Sequence, residues 1–147
     1  MDILCFNVVR TAEVFSKLNR KHFKDFKLTL AIARLSKELE DHREFVTNEE
    51  KKILLKYYKK NADGTDFLFD EKGVSKIEDP KKLPDLNREM DEFHKNKLEI
   101  TSIKSKIIIK DVKELNDLTP QDIMVLDPFI EFDVDDDPVE KNTEPQA

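Results

Sequence analysis

The sequence is poor in glycine, with two in 147 residues, and has no tryptophan and one cysteine. Scarce glycine argues against a turn-rich all-β fold and against the glycine-rich loops that cradle phosphates. One cysteine, Cys5, permits no intrachain disulfide; this fits a reducing compartment, and Cys5 itself reads as a small buried hydrophobe. No apolar run reaches the length of a membrane span. Asp2 follows Met1 directly, so the start does not read as a signal peptide.

Chemistry-bearing patterns are equally sparse. His22, His42 and His94 stand apart, with no histidine pair at zinc-ligand spacing and no second cysteine. His42 reads as a satisfied interior or interface histidine and His22 as part of a basic corner. Asp133, Asp135, Asp137 and Glu144 fall at the ligand positions of a calcium loop. Pro138, however, stands where such a loop needs glycine for its sharp turn. No nucleophile elbow or kinase-like string is present, and no pair stands out among the many carboxylates. The expectation is a protein without metal or cofactor and not an enzyme.

What is present is charge and helical periodicity. Charged residues make up 39% of the chain and hydrophobic ones 38%, a balance that favours helices with solvated outer faces. Residues 1–60 carry net +5, residues 61–132 net −6 and residues 133–147 net −5. Such segregation suits head-to-tail packing between copies, or two solvated faces.

The longest patterned stretch is Lys27–Lys60, which contains neither glycine nor proline. Leu28, Ile32, Leu35, Leu39, His42, Val46, Glu49, Ile53 and Tyr57 recur at steps of four and three, forming one stripe of a long, coiled-coil-like helix. The spacing predicts a helix from about Asp25 to Lys60. Thr47-Asn48-Glu49-Glu50 reads as a second capping sequence, allowing a kink there or two helices in a hairpin. The stripe needs a partner surface, so Leu28, Ile32, Leu35, Leu39, His42 and Val46 are candidate protein-contact residues.

Before this helix, residues 2–9 read as a short strand or a lead into a helix capped by Asn7 or Thr11 and ending near Leu18. Val14, Phe15 and Leu18 lie on its inner face. A corner follows with Phe23 and Phe26 as aromatic anchors. Lys17, Arg20, Lys21, Lys24 and Lys27 make it a candidate basic patch, able to track phosphates while an aromatic stacks a base.

After the long helix, Phe67-Leu68-Phe69 and Val74–Ile77 flank Asp70-Glu71-Lys72-Gly73, which predicts a β-hairpin with Gly73 at positive φ. Phe67 and Phe69 are further contact candidates. A helix is expected over about Pro84–Asn96, lined by Leu86, Met90 and Phe93. β-branched density from Leu98 to Asp111 predicts strand. Thr119-Pro120-Gln121-Asp122 starts a helix that Pro128 ends or kinks. From Asp133 the chain is an acidic tail, with Asp133, Asp135, Asp136 and Asp137 as candidate contact groups and a low-apolar composition typical of disorder.

Three stretches carry a resemblance: KILLKYYKKNADGT with the FDEKG insert, LPDLNREMDEFHKNKLEI, and LTPQDIMVLDPFIEF. In their order and Leu-Thr-Pro punctuation they resemble a small family of unknown function encoded by tailed bacteriophages and prophages. The resemblance spans roughly Leu28–Phe132 and implies phage origin and a small accessory or structural role, with no catalytic residues to carry over.

Together these features predict an α+β, predominantly helical domain over residues 1–132. One long helix packs antiparallel on a shorter one, with a small hairpin, a minor sheet and the tail. The expected core is Phe26, Leu30, Ile32, Leu35, Leu39, Val46, Ile53, Leu54, Leu86, Met90, Phe93, Ile100, Ile107, Ile109, Ile123, Leu126 and Phe129. The expected function is a virion component or assembly factor in contact with other phage proteins or copies of itself, without a membrane role. The alternative is an effector in the host cytoplasm that binds a host protein or nucleic acid.

Overall fold

The stripe residues do form one helix. A computed structural model of the chain describes residues 1–110 and 112–134. Its elements are β1 (Asp2–Leu4), α1 (Cys5–Asn19), α2 (Phe26–Leu55), α3 (Leu83–His94), β2 (Lys97–Glu99), β3 (Ile107–Ile109), α4 (Pro120–Leu126) and β4 (Ile130–Phe132). This is the α+β, mostly helical architecture expected. The long helix α2 packs on a shorter one, α1.

α2 passes Thr47 without a break. The Thr47 hydroxyl donates back to the Glu44 carbonyl at 3.1 Å, which keeps it inside the helix instead of capping a new one. The helix stops at Leu55, short of the expected Lys60, because the chain from Tyr57 turns to pair with residues 76–78. α1 also differs from expectation. Asn7 and Thr11 are helical residues, not caps, because β1 leads straight into the helix and the Cys5 N–H is taken up by the Asn96 carbonyl at 2.8 Å.

The chain divides into two compact units, each using part of α1 and part of α2. The first holds Met1, Arg10–Glu38 and the described chain from Ile100. Its core sets Val14, Phe15 and Leu18 of α1 and Ile32 and Leu35 of α2 with Ile109, Leu126, Phe129 and Ile130, all buried. Phe15 meets Phe129 edge to face at 5.8 Å. β3 and β4 pair in parallel, Ile107 opposite Ile130 and Ile109 opposite Phe132. A parallel pair needs a long crossover, and α4 lies within it. The helix expected from Thr119-Pro120 ends at Leu126. Pro128 blocks its continuation, and Ile130–Phe132 is strand.

Phe26, expected in the core, is 73% exposed. It lies two residues before Leu28, on the opposite side of the helix from the stripe. Leu30 and Ile123 are only half-buried.

The second unit holds Asp2–Val9 and Leu39–Glu99. β1 and β2 pair antiparallel, Ile3 opposite Leu98. The expected strand over 98–111 is thus two short strands in two separate sheets. Buried residues are Ile3, Cys5, Val8, Leu39, Val46 and Leu86, while Ile53, Leu54, Met90 and Phe93 are half-buried rather than core. The Pro80–Lys82 turn, capped by the Asp79 side chain, leads into α3. Lys56 Nζ on the chain after α2 donates to Glu89 Oε1 of α3 at 2.8 Å.

The hairpin forms as predicted, and a third segment joins it. Isolated bridges link Tyr58 to Ile77, Lys60 to Phe67 and Phe69 to Ser75. Gly73 takes φ 76° at the turn and Gly64 takes φ 74° in the preceding loop, positions that L side chains rarely tolerate. The Asn61 and Asp63 side chains accept the Thr65 N–H at 3.1 and 3.2 Å, satisfying the backbone of that loop.

Candidate functional site

The candidate contact residues separate into two groups. Ile32, Leu35, Leu39 and Val46 are buried by their own chain, so the α2 stripe is core and not an open contact surface. Periodicity identifies an apolar face, and here the protein's own helices and strands cover it. Leu28 is half-buried. His42 is also half-buried, its Nε2 lying 2.9 Å from the Glu99 carbonyl oxygen, as a satisfied interior histidine should be.

The hairpin candidates stay open. Phe67 is half-buried, in edge contact with Tyr58 at 5.6 Å and Phe69 at 6.3 Å. Phe69 is 54% exposed, Leu68 52% and Val74 49%. Alternation along a strand turns Leu68 away from Phe67, while Phe69, on the face of Phe67, is left open by a motif too small to cover it. Leu68, Phe69 and Val74 line a depression of about 260 Å³ with Lys59, Asp70 and Lys76. Leu68, Val74 and the two lysines were not singled out from the sequence. The unbroken apolar triplet 67–69 was the available signal.

The candidate basic patch is partly neutralised. Lys17 Nζ donates to Asp122 Oδ2 at 3.0 Å, and Lys21 pairs with Asp117. Arg20 Nε donates to the Ser16 carbonyl at 3.2 Å. Lys24 and Lys27 have no carboxylate partner among the described residues. Phe23 is half-buried and Phe26 open. A five-cation patch is therefore reduced to Arg20, Lys24 and Lys27.

Two carboxylates missed by the sequence reading organise the first unit. The Asp122 side chain is 1% exposed, yet charged. It accepts from Lys17, from Arg10 Nη2 at 2.9 Å and from the Thr119 N–H at 3.2 Å, while its own N–H donates to Thr119 Oγ1 at 3.1 Å. The Lys17 ammonium, then the Thr119 N–H, hold its carboxyl below the usual aspartate range against burial. The capping sequence was legible, but that its acid also receives two cations of α1 was not.

Glu38 is the second. Burial pushes its pKa up, but hydrogen bonds from Ser102 and Thr101 win and bring it down to about 2. Thr101 donates from both its N–H and its hydroxyl at 2.7 Å, and the Ser102 N–H donates at 2.9 Å. This clamp holds the loop between β2 and β3.

In the second unit, His94 Nε2 lies 2.6 Å from Glu50 Oε2, and the Phe6 ring stands edge-on to His94 at 5.7 Å. Cys5 is buried, and burial pushes its thiol up, away from the reactive thiolate. No group of three or more His, Cys, Asp or Glu suited to a metal ion occurs among the described residues, and none of their helices is long and apolar enough to cross a membrane. Asp133 is exposed and its N–H donates to the Ile109 carbonyl at 2.9 Å; Asp135, Asp136 and Asp137 lie outside the described residues.

Comparison with known proteins finds no matching family model, no matching curated protein and no matching solved structure.

Proposed function

We propose that this chain is a non-enzymatic protein that works through protein–protein contacts, as a bacteriophage virion component or assembly factor. The observation that carries the reading is the open platform of Leu68, Phe69 and Val74 on the 57–78 segment. Three large apolar side chains grouped in one small β motif cost free energy in water, and contiguous exposed patches of this kind mark contact surfaces. Phage origin rests on the sequence resemblance alone. Lys59 and Lys76 beside the platform favour a partner surface rich in Asp and Glu. The same pair of features supports a second reading, an intracellular effector that grips an acidic host protein.

Quantitative mass spectrometry of purified particles of the encoding phage separates the two. A fixed copy ratio to the major capsid protein is the expected result. Absence from particles together with abundance in infected cells overturns the virion reading and leaves the effector.

A further inference from the structure

A second open site lies in the first unit, far in sequence from the hairpin. Phe23, Lys24, Asp25 and Leu28, at the entry to α2, face Ile108 and Lys110 of the β3 segment across a groove of about 390 Å³. Its walls are apolar at Phe23, Leu28 and Ile108, and Ile108 is 51% exposed. The Ile107 N–H and the Ile109 carbonyl are both spent on the β4 side, bonding Phe129 and Asp133. By strand alternation the Ile108 N–H and carbonyl point to the other edge, where no backbone partner is found among the described residues.

The cations that line the groove are Lys24 and Lys110, with Lys27 and Lys106 close to the lining residues in sequence, and none of the four is paired with a carboxylate among the described residues. Against them stand Asp25, whose Oδ1 is engaged by the Lys27 N–H at 2.9 Å, and Glu131, the register partner of Ile108. The chain leaves β4 beside the end of β3, because the Asp133 N–H is tied to the carbonyl of Ile109, the residue between Ile108 and Lys110, on the edge opposite the one that Ile108 leaves open. Residues 135–147 follow, with five Asp and Glu against one Lys, and Val139 among them. At roughly 3.3 Å per extended residue they reach back along β3 with chain to spare.

We infer that this groove is the docking site of the chain's own acidic C-terminal segment, residues 135–147. The lysines attract the Asp135–Asp137 run, the apolar walls accept Val139, and the free edge of β3 offers hydrogen bonds to an extended backbone. Tethering at Asp133 supplies the segment at high local concentration, so weak contacts suffice. The inference is independent of the hairpin platform.

The test uses the full chain with Thr143→Cys carrying a nitroxide, and amide NMR as the readout. Cys5, 1% exposed, stays unlabelled. The expected result is at least about a twofold loss of signal at Leu28, Ile108 and Lys110, relieved at about 0.5 M salt, where charges screen within a few ångströms. The Lys24→Glu/Lys110→Glu variant of the same labelled chain should show no such loss while its remaining spectrum is unchanged. Full signal at all three residues in the labelled wild-type chain overturns the inference. So does loss seen only in mixtures of labelled and isotope-enriched copies, which assigns the groove to the tail of a second copy.

Discussion

The stripe of α2 and the apolar triplet at residues 67–69 look alike as sequence, both being apolar series in search of cover. In the folded chain they end differently. Leu35 and Leu39 are completely buried, while Leu68 and Phe69 are about half exposed. The stripe is long enough to be met by α1 and by the chain that follows, and each fully buried leucine contributes on the order of 1.5–3 kcal/mol. The 57–78 segment is a three-way β arrangement held by isolated bridges, too small to enclose both of its own faces. Helical periodicity therefore reports a face that folding consumes, and the short strands of a small motif report a face that folding leaves over.

Substitutions can break or sharpen that contrast. The largest effect is expected in the stripe. Leu39→Ala should lower stability by about 2–5 kcal/mol in denaturant unfolding, through lost burial and the cavity left behind. A loss under about 1 kcal/mol would mean that the stripe is not core. Asp122→Ala comes next, at about 1–3 kcal/mol, since it removes the acceptor of the Thr119 N–H in the α4 capping box and leaves Arg10 and Lys17 without their shared acceptor. Asp122→Asn keeps a capping acceptor and should cost less than the alanine.

Glu38→Gln is smaller, roughly 1 kcal/mol at neutral pH, because Glu38 is half-buried and solvent screens it. Its pH signature is distinctive. Because the folded-state pKa is depressed to about 2, the wild-type contribution is fully present above the ordinary glutamate value. It is lost as pH falls from there through about 2. Stability of the glutamine variant should lack that component, so the two unfolding curves should converge in acid. The smallest effect is expected at the platform. Leu68→Ser with Phe69→Ser should change stability by less than about 1 kcal/mol, as for exposed positions generally.

Much of the architecture could be read from the residues, and the failures have physical causes. The helix starting at Thr119-Pro120, the hairpin turn at Gly73 and the inner face Val14, Phe15 and Leu18 follow from local capping, φ demands and periodicity. Local rules could not deliver the parallel partner of β3, because Phe129–Phe132 looks like a helix end until Ile107–Ile109 is placed beside it. They also placed Phe26 inside, since an aromatic at a corner carries no phase of its own. At the site level, both the α2 stripe and Phe69 were read as contact residues; the stripe is buried by its own chain, while Phe69 stays exposed. What covers an apolar face depends on long-range packing. The roles of Asp122 and Glu38 depend on partners 105 and 63 residues away, beyond any local pattern.

The central claim is that the hairpin platform serves contact and the stripe serves folding. The most direct test takes two readings on the Leu68→Ser/Phe69→Ser chain: its thermal midpoint and its copy number in purified particles. The expected result is a midpoint within about 4 °C of wild type with at least about a tenfold drop in copy number. An undiminished copy number, or a midpoint that falls as far as that of Leu39→Ala, would contradict it.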